Sequence, residues 1–219
     1  MSLSIVTPWL DHEELLEDYL RAIEGAEAEV IIVDDASDPP LDFATIRLEQ
    51  PGGFCGASNA GLAAATGEKI LFLNNDVAAE DSSWLGRLQS RIEPGAFAGA
   101  ALRTETHARV PGVSDPLTYL DGWCLGGMKS DLEMLGGWSE EYEEPAYYSD
   151  NDLCFRARCL GISLRECRVP LEHKLSTTAL AIFPNDDQDH PHPDLQLVMN
   201  NNYQLYVSKV QQLLGSVAR

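Results

Sequence analysis

Two uninterrupted apolar runs restrict the fold of this chain most strongly. Residues 30–33 read Val-Ile-Ile-Val and residues 70–73 read Ile-Leu-Phe-Leu. Runs without polar alternation are typical of strands buried on both faces, as in a parallel sheet. Weaker strands are expected at residues 3–7, 46–48 and 97–102, and helices at residues 13–23, 57–65 and 84–91. This alternation predicts an α/β fold with a doubly wound, mostly parallel sheet.

The second half of the chain has a different pattern. We expect a loop at residues 104–116, a glycine-rich stretch at 122–127 leading into a short helix at 130–135, a helix at 150–160 and a strand at 162–169. A polar, proline-rich loop at 185–194 precedes a terminal helix at 195–214. The chain has 219 residues, of which 44% are hydrophobic, and this suits a single domain.

The charge of the chain excludes several classes of function. A formal net charge of -20 repels nucleic acid and anionic bilayers alike. No apolar run is long enough for a transmembrane segment, and the N-terminus is typical of a first strand, not a signal peptide. The five cysteines include no CxxC pair, which favours buried thiols in a reducing, cytoplasmic setting.

Polar residues follow the buried strands where a parallel sheet binds ligands. Asp34 and Asp35 come after one run, and Asn74, Asn75 and Asp76 come after the other. The acidic pair can accept hydrogen bonds from a base or ribose, and the carboxylate of Asp76 suits a hard divalent cation. Loop caps and turns are the alternative interpretation of both motifs.

Three further residues are candidates for chemistry. Asp150 and Asp152 lie in the first turn of a predicted helix, where they are either a general base or a charged cap. His173 follows a strand expected to return to the edge that carries Asp76, and imidazole binds manganese-like ions. His190 and His192 lie in the proline-rich loop and are more typical of solvated polar residues.

The glycine-rich stretch at residues 52–56 is not a dinucleotide-binding fingerprint. Its spacing differs, and it follows the third strand, not the first. These glycines favour a close approach of the backbone to a ligand or a helix.

The motifs together resemble the inverting family-two glycosyltransferases with the GT-A fold, including rhamnosyltransferase-like members. The chain order of the motifs carries this resemblance: residues 6–8, 33–37, 53–61, 73–76, 136–140, 150–157 and His173. The resemblance covers the chain from Leu3 to about Ser176. It implies that residues 1–103 bind the nucleotide sugar and that residues 104–180 bind the acceptor and carry the catalytic residues. Residues 181–219 would form a terminal loop and helix.

The resemblance also implies roles for single residues. Thr7, Pro8, Asp34 and Asp35 match positions that hold the nucleoside, and Asn59 matches a position close to the donor. Asn75, also expected at the donor, matches the metal-binding Asp-x-Asp region together with Asp76. Asp76 and His173 match residues that bind Mn²⁺ or Mg²⁺ beside the diphosphate, and Trp123 and the residues around Gly126 match the acceptor-facing wall. Asp150 matches the general base. Ser149 stands where a glutamate is common, so Asp152 is the alternative base.

The resulting hypothesis is a metal-assisted inverting glycosyltransferase of glycan or polysaccharide biosynthesis. Its donor would be a UDP-, dTDP- or GDP-sugar, and its acceptor the hydroxyl of a glycan or a lipid-linked glycan. Two alternatives are a nucleotidyltransferase and a non-catalytic nucleotide-sugar-binding protein. A nucleotidyltransferase needs an early glycine-rich loop with a basic residue, and residues 7–11 contain neither.

Overall fold

The computed structural model describes residues 1–105, 110–111, 113, 116–174, 182–183 and 192–217. The first part of the chain contains β1 (Leu3–Trp9), α1 (Leu16–Ile23), β2 (Glu29–Asp34), β3 (Ile46–Arg47), α2 (Gly53–Ala64), β4 (Lys69–Leu73), β5 (Val77–Ala78) and α3 (Ser83–Gln89). The second part contains β6 (Ala96–Gly99), β7 (Leu102–Thr104), β8 (Thr118–Leu120), β9 (Cys124–Met128), α4 (Lys129–Met134), α5 (Ser149–Cys159), β10 (Ser163–Glu166), β11 (Glu172–His173) and α6 (Pro193–Val217). Most of the predicted loop at residues 185–194, with His190, lies outside the described residues.

The central sheet has the strand order β10-β6-β9-β4-β1-β2-β3. Strands β3, β2, β1 and β4 are parallel, β6 and β10 are parallel, and β9 is antiparallel to both of its neighbours. The predicted doubly wound, mostly parallel α/β fold is therefore confirmed. None of the helices in the described part of the chain is long and apolar enough to cross a membrane.

Alternate side chains of β4 enter two separate cores. Ile70 and Phe72 face the core that α2, α5 and α6 cover, whereas Leu71 and Leu73 face the core that α1 and α3 cover. All four side chains are fully buried. This double burial explains why the sequence of the strand shows no polar alternation.

Strand β1 continues two residues past its predicted end at Thr7 and includes Pro8. It pairs with β4 only up to Val6, but with β2 up to Trp9. Pro8 lacks an N–H and therefore lies where one side of β1 has no strand partner. The strand predicted at residues 3–7 was therefore two residues too short, and Pro8 and Trp9 lie at the carboxyl edge of the sheet.

The glycine-rich stretch at 122–127, for which no strand was predicted, is largely strand β9, in the middle of the sheet. A Cβ on Gly126 would lie 2.5 Å from Ile92 Cδ1 and 2.9 Å from Ile70 O, and a Cβ on Gly127 would lie 2.5 Å from Phe97 Cε1. These glycines serve close packing. Gly126 is consequently buried inside the sheet and does not form an acceptor-facing wall.

Helix α2 begins at Gly53, four residues before its expected start at Ala57. A Cβ on Gly61 would lie 2.3 Å from Val6 Cγ1, so this helix packs closely on β1. The glycine-rich stretch at 52–56 therefore forms the first turn of a helix whose N-terminus lies at the carboxyl edge of the sheet.

We expect Gly126→Ala to destabilise the protein by about 1–3 kcal/mol, because the new methyl group meets a backbone oxygen that cannot move away. Gly86→Ala is the matched control, since the position is inside α3 and, apart from the helix's own nearby backbone, no atom lies within 4 Å of the new Cβ. Alanine should leave stability unchanged there or raise it by about 0.5–1 kcal/mol. Urea unfolding of both variants tests this, and equal stability would contradict the packing role of Gly126.

Candidate functional site

Two adjoining clefts lie at the carboxyl edge of the parallel strands. The first cleft has a volume of about 420 Å³ and the second about 440 Å³, and Phe54 and Asn74 line both. The first cleft is lined by Pro8, Trp9, Leu10, Asp35, Pro51, Gly52, Gly53, Phe54, Asn74, Asn75, Tyr142, Glu144 and Ile182. The second cleft is lined by Phe54, Asn74, Arg103, Asp121, Gly122, Trp123, Pro145, Ala146, Tyr147, Ser149, Asp150 and His173.

Asp35 lies in the first cleft directly after β2. Its backbone N–H donates to Trp9 O at 2.8 Å, and its Oδ1 accepts a hydrogen bond from Gly52 N at 2.6 Å. Burial raises the pKa of the Asp35 carboxyl, and the hydrogen bond from Gly52 opposes that rise. Pro8 and Asn75 line the same cleft, so three of the predicted donor-binding residues lie together.

Glu144 is a second carboxyl in the first cleft, and sequence reasoning did not identify it. Its Oε1 accepts a hydrogen bond from Phe54 N at 2.8 Å, across 90 positions of the chain. Burial raises the pKa of Glu144 to about 7, and the Asp35 carboxylate adds to the rise. Glu144 belongs to an acidic stretch that also holds Glu140, Glu141 and Glu143, so no local pattern distinguishes it from its neighbours.

Three predicted donor-binding residues do not line the clefts. Thr7 is buried, and its Oγ1 lies 2.6 Å from the hydroxyl of Tyr19. Asp34 is buried and pairs with Arg47; although burial raises its pKa, hydrogen bonds from Ser37, Leu41 and Arg47 hold it below the usual value.

The third of these residues, Asn59, joins α2 to the segment after α4. Its Oδ1 accepts from Trp138 N at 2.9 Å, while its Nδ2 donates to Trp138 O at 2.9 Å and to Glu140 Oε1 at 2.7 Å. Asn59 therefore holds in place the segment that carries Tyr142 and Glu144 into the first cleft.

Strands β5 and β11 bring the two predicted metal ligands together. Their antiparallel register pairs Val77 with His173, and Lys174 N donates to Asp76 O at 2.8 Å. His173 Nε2 consequently lies 3.0 Å from Asp76 Oδ1, and both side chains are largely buried. The indole of Trp123 stacks on the His173 ring at 4.7 Å between centroids, with 5° between the planes.

These residues fit a divalent cation that is shared with a ligand. A carboxylate and an imidazole are suitable protein ligands for Mn²⁺, and the buried Oδ1 of Asn74 has no hydrogen-bond partner in the described part of the chain. The described residues contain no cluster of three or more His, Cys, Asp or Glu side chains that could hold a metal alone. An ion here would need further oxygen ligands from a bound molecule.

Asp150 and Asp121 are the two carboxyl residues that line the second cleft. Asp150 Oδ2 accepts from Gly122 N at 3.1 Å, and its Oδ1 accepts from Asn151 N at 2.9 Å. Burial raises the pKa of Asp150 to about 6, and the nearby Asp121 adds to the rise. A carboxyl with this pKa is ionised at neutral pH and can accept a proton from an acceptor hydroxyl.

Asp152 lies away from both clefts. It is almost fully buried, and its Oδ2 accepts a hydrogen bond from Arg156 Nε at 2.9 Å. Arg156 also donates to Leu135 O and Gly137 O. The ion pair therefore joins α5 to the end of α4.

The chain matches a known protein family. Residues 4–116, slightly more than half of the chain, match the family described as Glycosyl transferase family 2. The O-antigen biosynthesis protein RfbC of Myxococcus xanthus is 31% identical over 106 residues, which cover 42% of this chain and 8% of RfbC.

Two solved structures are similar to this chain. The mannosyltransferase PcManGT from Pyrobaculum calidifontis, in complex with GDP-Man and Mn²⁺, has a TM-score of 0.60 and 16% identity, over 99% of this chain and 74% of that one. TarS of S. aureus has a TM-score of 0.57 and 17% identity, over 80% of this chain and 37% of TarS. These similarities confirm the expected GT-A-like fold.

We expect Glu144→Gln to stabilise the protein at pH 8 but not near pH 4. Between about pH 4.5 and 7 the native state binds a proton that the unfolded state has released, so the Glu144 contribution to stability falls as pH rises through this window. Glutamine does not titrate and avoids that loss. Thermal unfolding from pH 4 to 8 tests this, with Glu143→Gln as the control for removing one negative charge. A constant difference across the range would contradict the buried, proton-binding state of Glu144.

Proposed function

Because the chain belongs to glycosyltransferase family 2, we propose that it transfers a sugar from a nucleoside-diphosphate sugar to an acceptor hydroxyl, with inversion at the anomeric carbon. The observation that carries this proposal is the pair of adjoining clefts, which share Phe54 and Asn74 and place Asp150 on the far side of that junction from Asp35. Two substrates could meet there, one in each cleft.

The similar proteins support a nucleotide-sugar donor and a role in polysaccharide biosynthesis. PcManGT was solved with GDP-Man and Mn²⁺, TarS was solved with UDP and with UDP-GlcNAc, and RfbC is described as an O-antigen biosynthesis protein. For this chain we propose a UDP-, dTDP- or GDP-sugar as donor and a glycan or lipid-linked glycan as acceptor.

The first cleft would hold the nucleoside. Pro8, Trp9 and Phe54 supply apolar surface for a flat base, and the Asp35 carboxylate supplies a hydrogen-bond acceptor. The diphosphate would extend toward Asn74 and Asn75, at the end of β4. When bound at Asp76 and His173, Mn²⁺ or Mg²⁺ supplies positive charge that stabilises the departing diphosphate.

Asp150 would act as the general base in the second cleft. The acceptor hydroxyl loses its proton to the Asp150 carboxylate while its oxygen forms a bond to the anomeric carbon. The bond from that carbon to the phosphate oxygen breaks, and its electron pair leaves with the nucleoside diphosphate. The hydrogen bonds from Gly122 and Asn151 hold the carboxylate in position for this step.

Three polar residues outside the clefts would position the site without touching substrate. Asn59 holds the segment that carries Tyr142, Asp152 anchors α5 through Arg156, and Asp34 fixes the loop after β2 through Ser37 and Leu41. Trp123 would form one wall of the acceptor cleft through its stacking on His173.

We expect Asp150→Asn to lower turnover by about 10²-fold or more while leaving donor affinity unchanged, because it removes the proton acceptor but little volume. Asp152→Asn is the matched control: it should lower the melting temperature by weakening the pair with Arg156 and keep turnover per folded molecule near wild type. A thermal-shift panel of nucleotide sugars with Mn²⁺ first identifies the donor for the assay. Normal turnover in Asp150→Asn would exclude it as the base.

The same hypothesis fixes the pH profile of the wild type. Activity should fall as pH decreases through about 6, because the base is then protonated. Asp121, Tyr119 and Arg103 lie near Asp150, and Arg103 is held on Asp121 at 2.9 Å. Asp121→Asn removes a negative charge near Asp150 and should therefore shift the acidic limb of the pH–activity profile to lower pH. An unchanged limb would show that a group other than Asp150 controls it.

Nucleoside diphosphate binding should require a divalent cation. Calorimetry with UDP, GDP and dTDP should give affinities lower by roughly tenfold or more in EDTA than with Mn²⁺, and His173→Ala should remove most of this difference. His12→Ala is the control, because His12 contacts Glu14 and lines neither cleft. Equal affinities with Mn²⁺ and with EDTA would remove the metal from the proposed function.

A further inference from the structure

The first cleft contains two carboxyl groups, and only Asp35 was expected there. Glu144 reaches the cleft from the segment after α4 and places its side chain directly against Gly53. A Cβ on Gly53 would lie 2.2 Å from Glu144 Oε1 and 2.7 Å from Glu144 Cδ. Gly53 also has φ of +65°, so its position suits glycine in conformation as well as in space. The start of α2 is therefore shaped to accommodate the Glu144 carboxyl.

Glu144 contributes little to the stability of the fold. In the described part of the chain no ion pair includes Glu144 or Asp35, and the hydrogen bond from Phe54 N engages only Oε1 of Glu144. A carboxyl that is withdrawn from water beside another carboxyl destabilises its ionised form, as the raised pKa of Glu144 shows. Such uncompensated groups are concentrated at functional sites.

The chemistry of the cleft indicates which part of a nucleotide sugar meets Glu144. Two carboxylates repel the anionic diphosphate, so we expect the diphosphate to bind away from Asp35 and Glu144. The nucleoside is neutral and carries N–H donors on its base and O–H donors on its ribose. Trp9, Phe54 and Tyr142 line the same cleft and offer apolar surface to such a ring system.

We propose that Glu144 is a specificity-determining residue of the first cleft, where its Oε2 accepts a hydrogen bond from an N–H or O–H group of the bound nucleoside. This inference rests on the proposed nucleotide-sugar donor and adds a second acceptor to Asp35. The hydrogen-bond donor is either an N–H group of the base or an O–H group of the ribose. A carboxylate can accept a hydrogen bond from either group.

Glu144→Gln separates recognition of the nucleoside from the hydrogen bond that Glu144 accepts from the backbone of Phe54. The amide oxygen of glutamine can still accept the hydrogen bond from Phe54 N, whereas the group facing the ligand loses its negative charge and becomes a donor. Glu143→Gln is the matched control, because Glu143 is the exposed neighbour and does not line the cleft.

The test is a set of double-mutant cycles between the protein and the nucleotide, measured by calorimetry with Mn²⁺. The ligands are GDP and UDP, their 2′-deoxy forms, IDP (which lacks the amino group of guanine), 3-methyl-UDP and pyrophosphate. We expect Glu144→Gln to weaken the preferred ribonucleotide by about tenfold or more, the loss of one hydrogen bond to a charged group. The loss should disappear for one analogue: a 2′-deoxy form if Glu144 reads the ribose, or IDP or 3-methyl-UDP if it reads the base. Pyrophosphate binding should not weaken.

Three results would overturn the inference. If Glu144→Gln bound every ligand with the affinity of the wild type, Glu144 would accept no hydrogen bond from the nucleoside. An equal loss for all nucleotides and pyrophosphate would give Glu144 a purely structural role. Failure of the wild-type protein to bind any nucleotide would remove the proposed function and this inference with it, a result that is distinct from the other two.

Discussion

The antiparallel pairing of β9 with β4 determines where both clefts form. The pairing places Cys124 opposite Leu73, and just beyond it Asn74 N donates to Trp123 O at 2.9 Å. This hydrogen bond fixes the second half of the chain against the end of the central strand. Trp123 then stacks on His173, and Gly122 donates to Asp150. Residues far apart in the sequence thus meet beside the end of β4.

The electrostatics of the site follow from burial in an acidic chain. Asp35, Glu144 and Asp150 all have raised pKa values, and in each case burial is the largest cause. Few basic groups line the clefts to compensate, and Arg103 is already held on Asp121. Cavities with this charge bind cations and hydrogen-bond donors more readily than anions. A nucleotide diphosphate would consequently depend on a divalent ion to enter, which is the physical reason to expect metal dependence.

The sequence was sufficient to predict the features that depend on local pattern. Strand β4 could be predicted because double burial leaves an unbroken apolar run at residues 70–73, which the observed strand includes. The approach of His173 to Asp76 could be anticipated from the order of the strands. Strand β9 could not be predicted, because its glycines are selected by Ile92 and Phe97, which are distant in sequence. Glu144 was missed for the same reason, since only the folded chain brings it to Phe54.

The residues whose assigned roles changed illustrate a simple geometric rule. Asp34 and Asp35 are adjacent, and neighbouring side chains at a strand point to opposite sides. Asp34 therefore enters the interior beside Ser37 and Leu41, whereas Asp35 faces the first cleft. Sequence motifs identified the acidic pair but could not say which member faces the first cleft.

The same rule applies to the helix that carries the proposed base. Side chains two positions apart on an α-helix point about 200° away from each other, so Asp150 and Asp152 cannot face the same cleft. Asp152 is directed into the interior, where Arg156 neutralises it, and Asp150 remains at the second cleft beside Gly122. Exchanging their roles would require α5 to rotate by half a turn, which would expose Leu153 and Cys154 and bring Arg156 out of its contacts with Leu135 and Gly137. The buried ion pair of Asp152 thus fixes the rotation of the helix, and that rotation presents Asp150 to the second cleft.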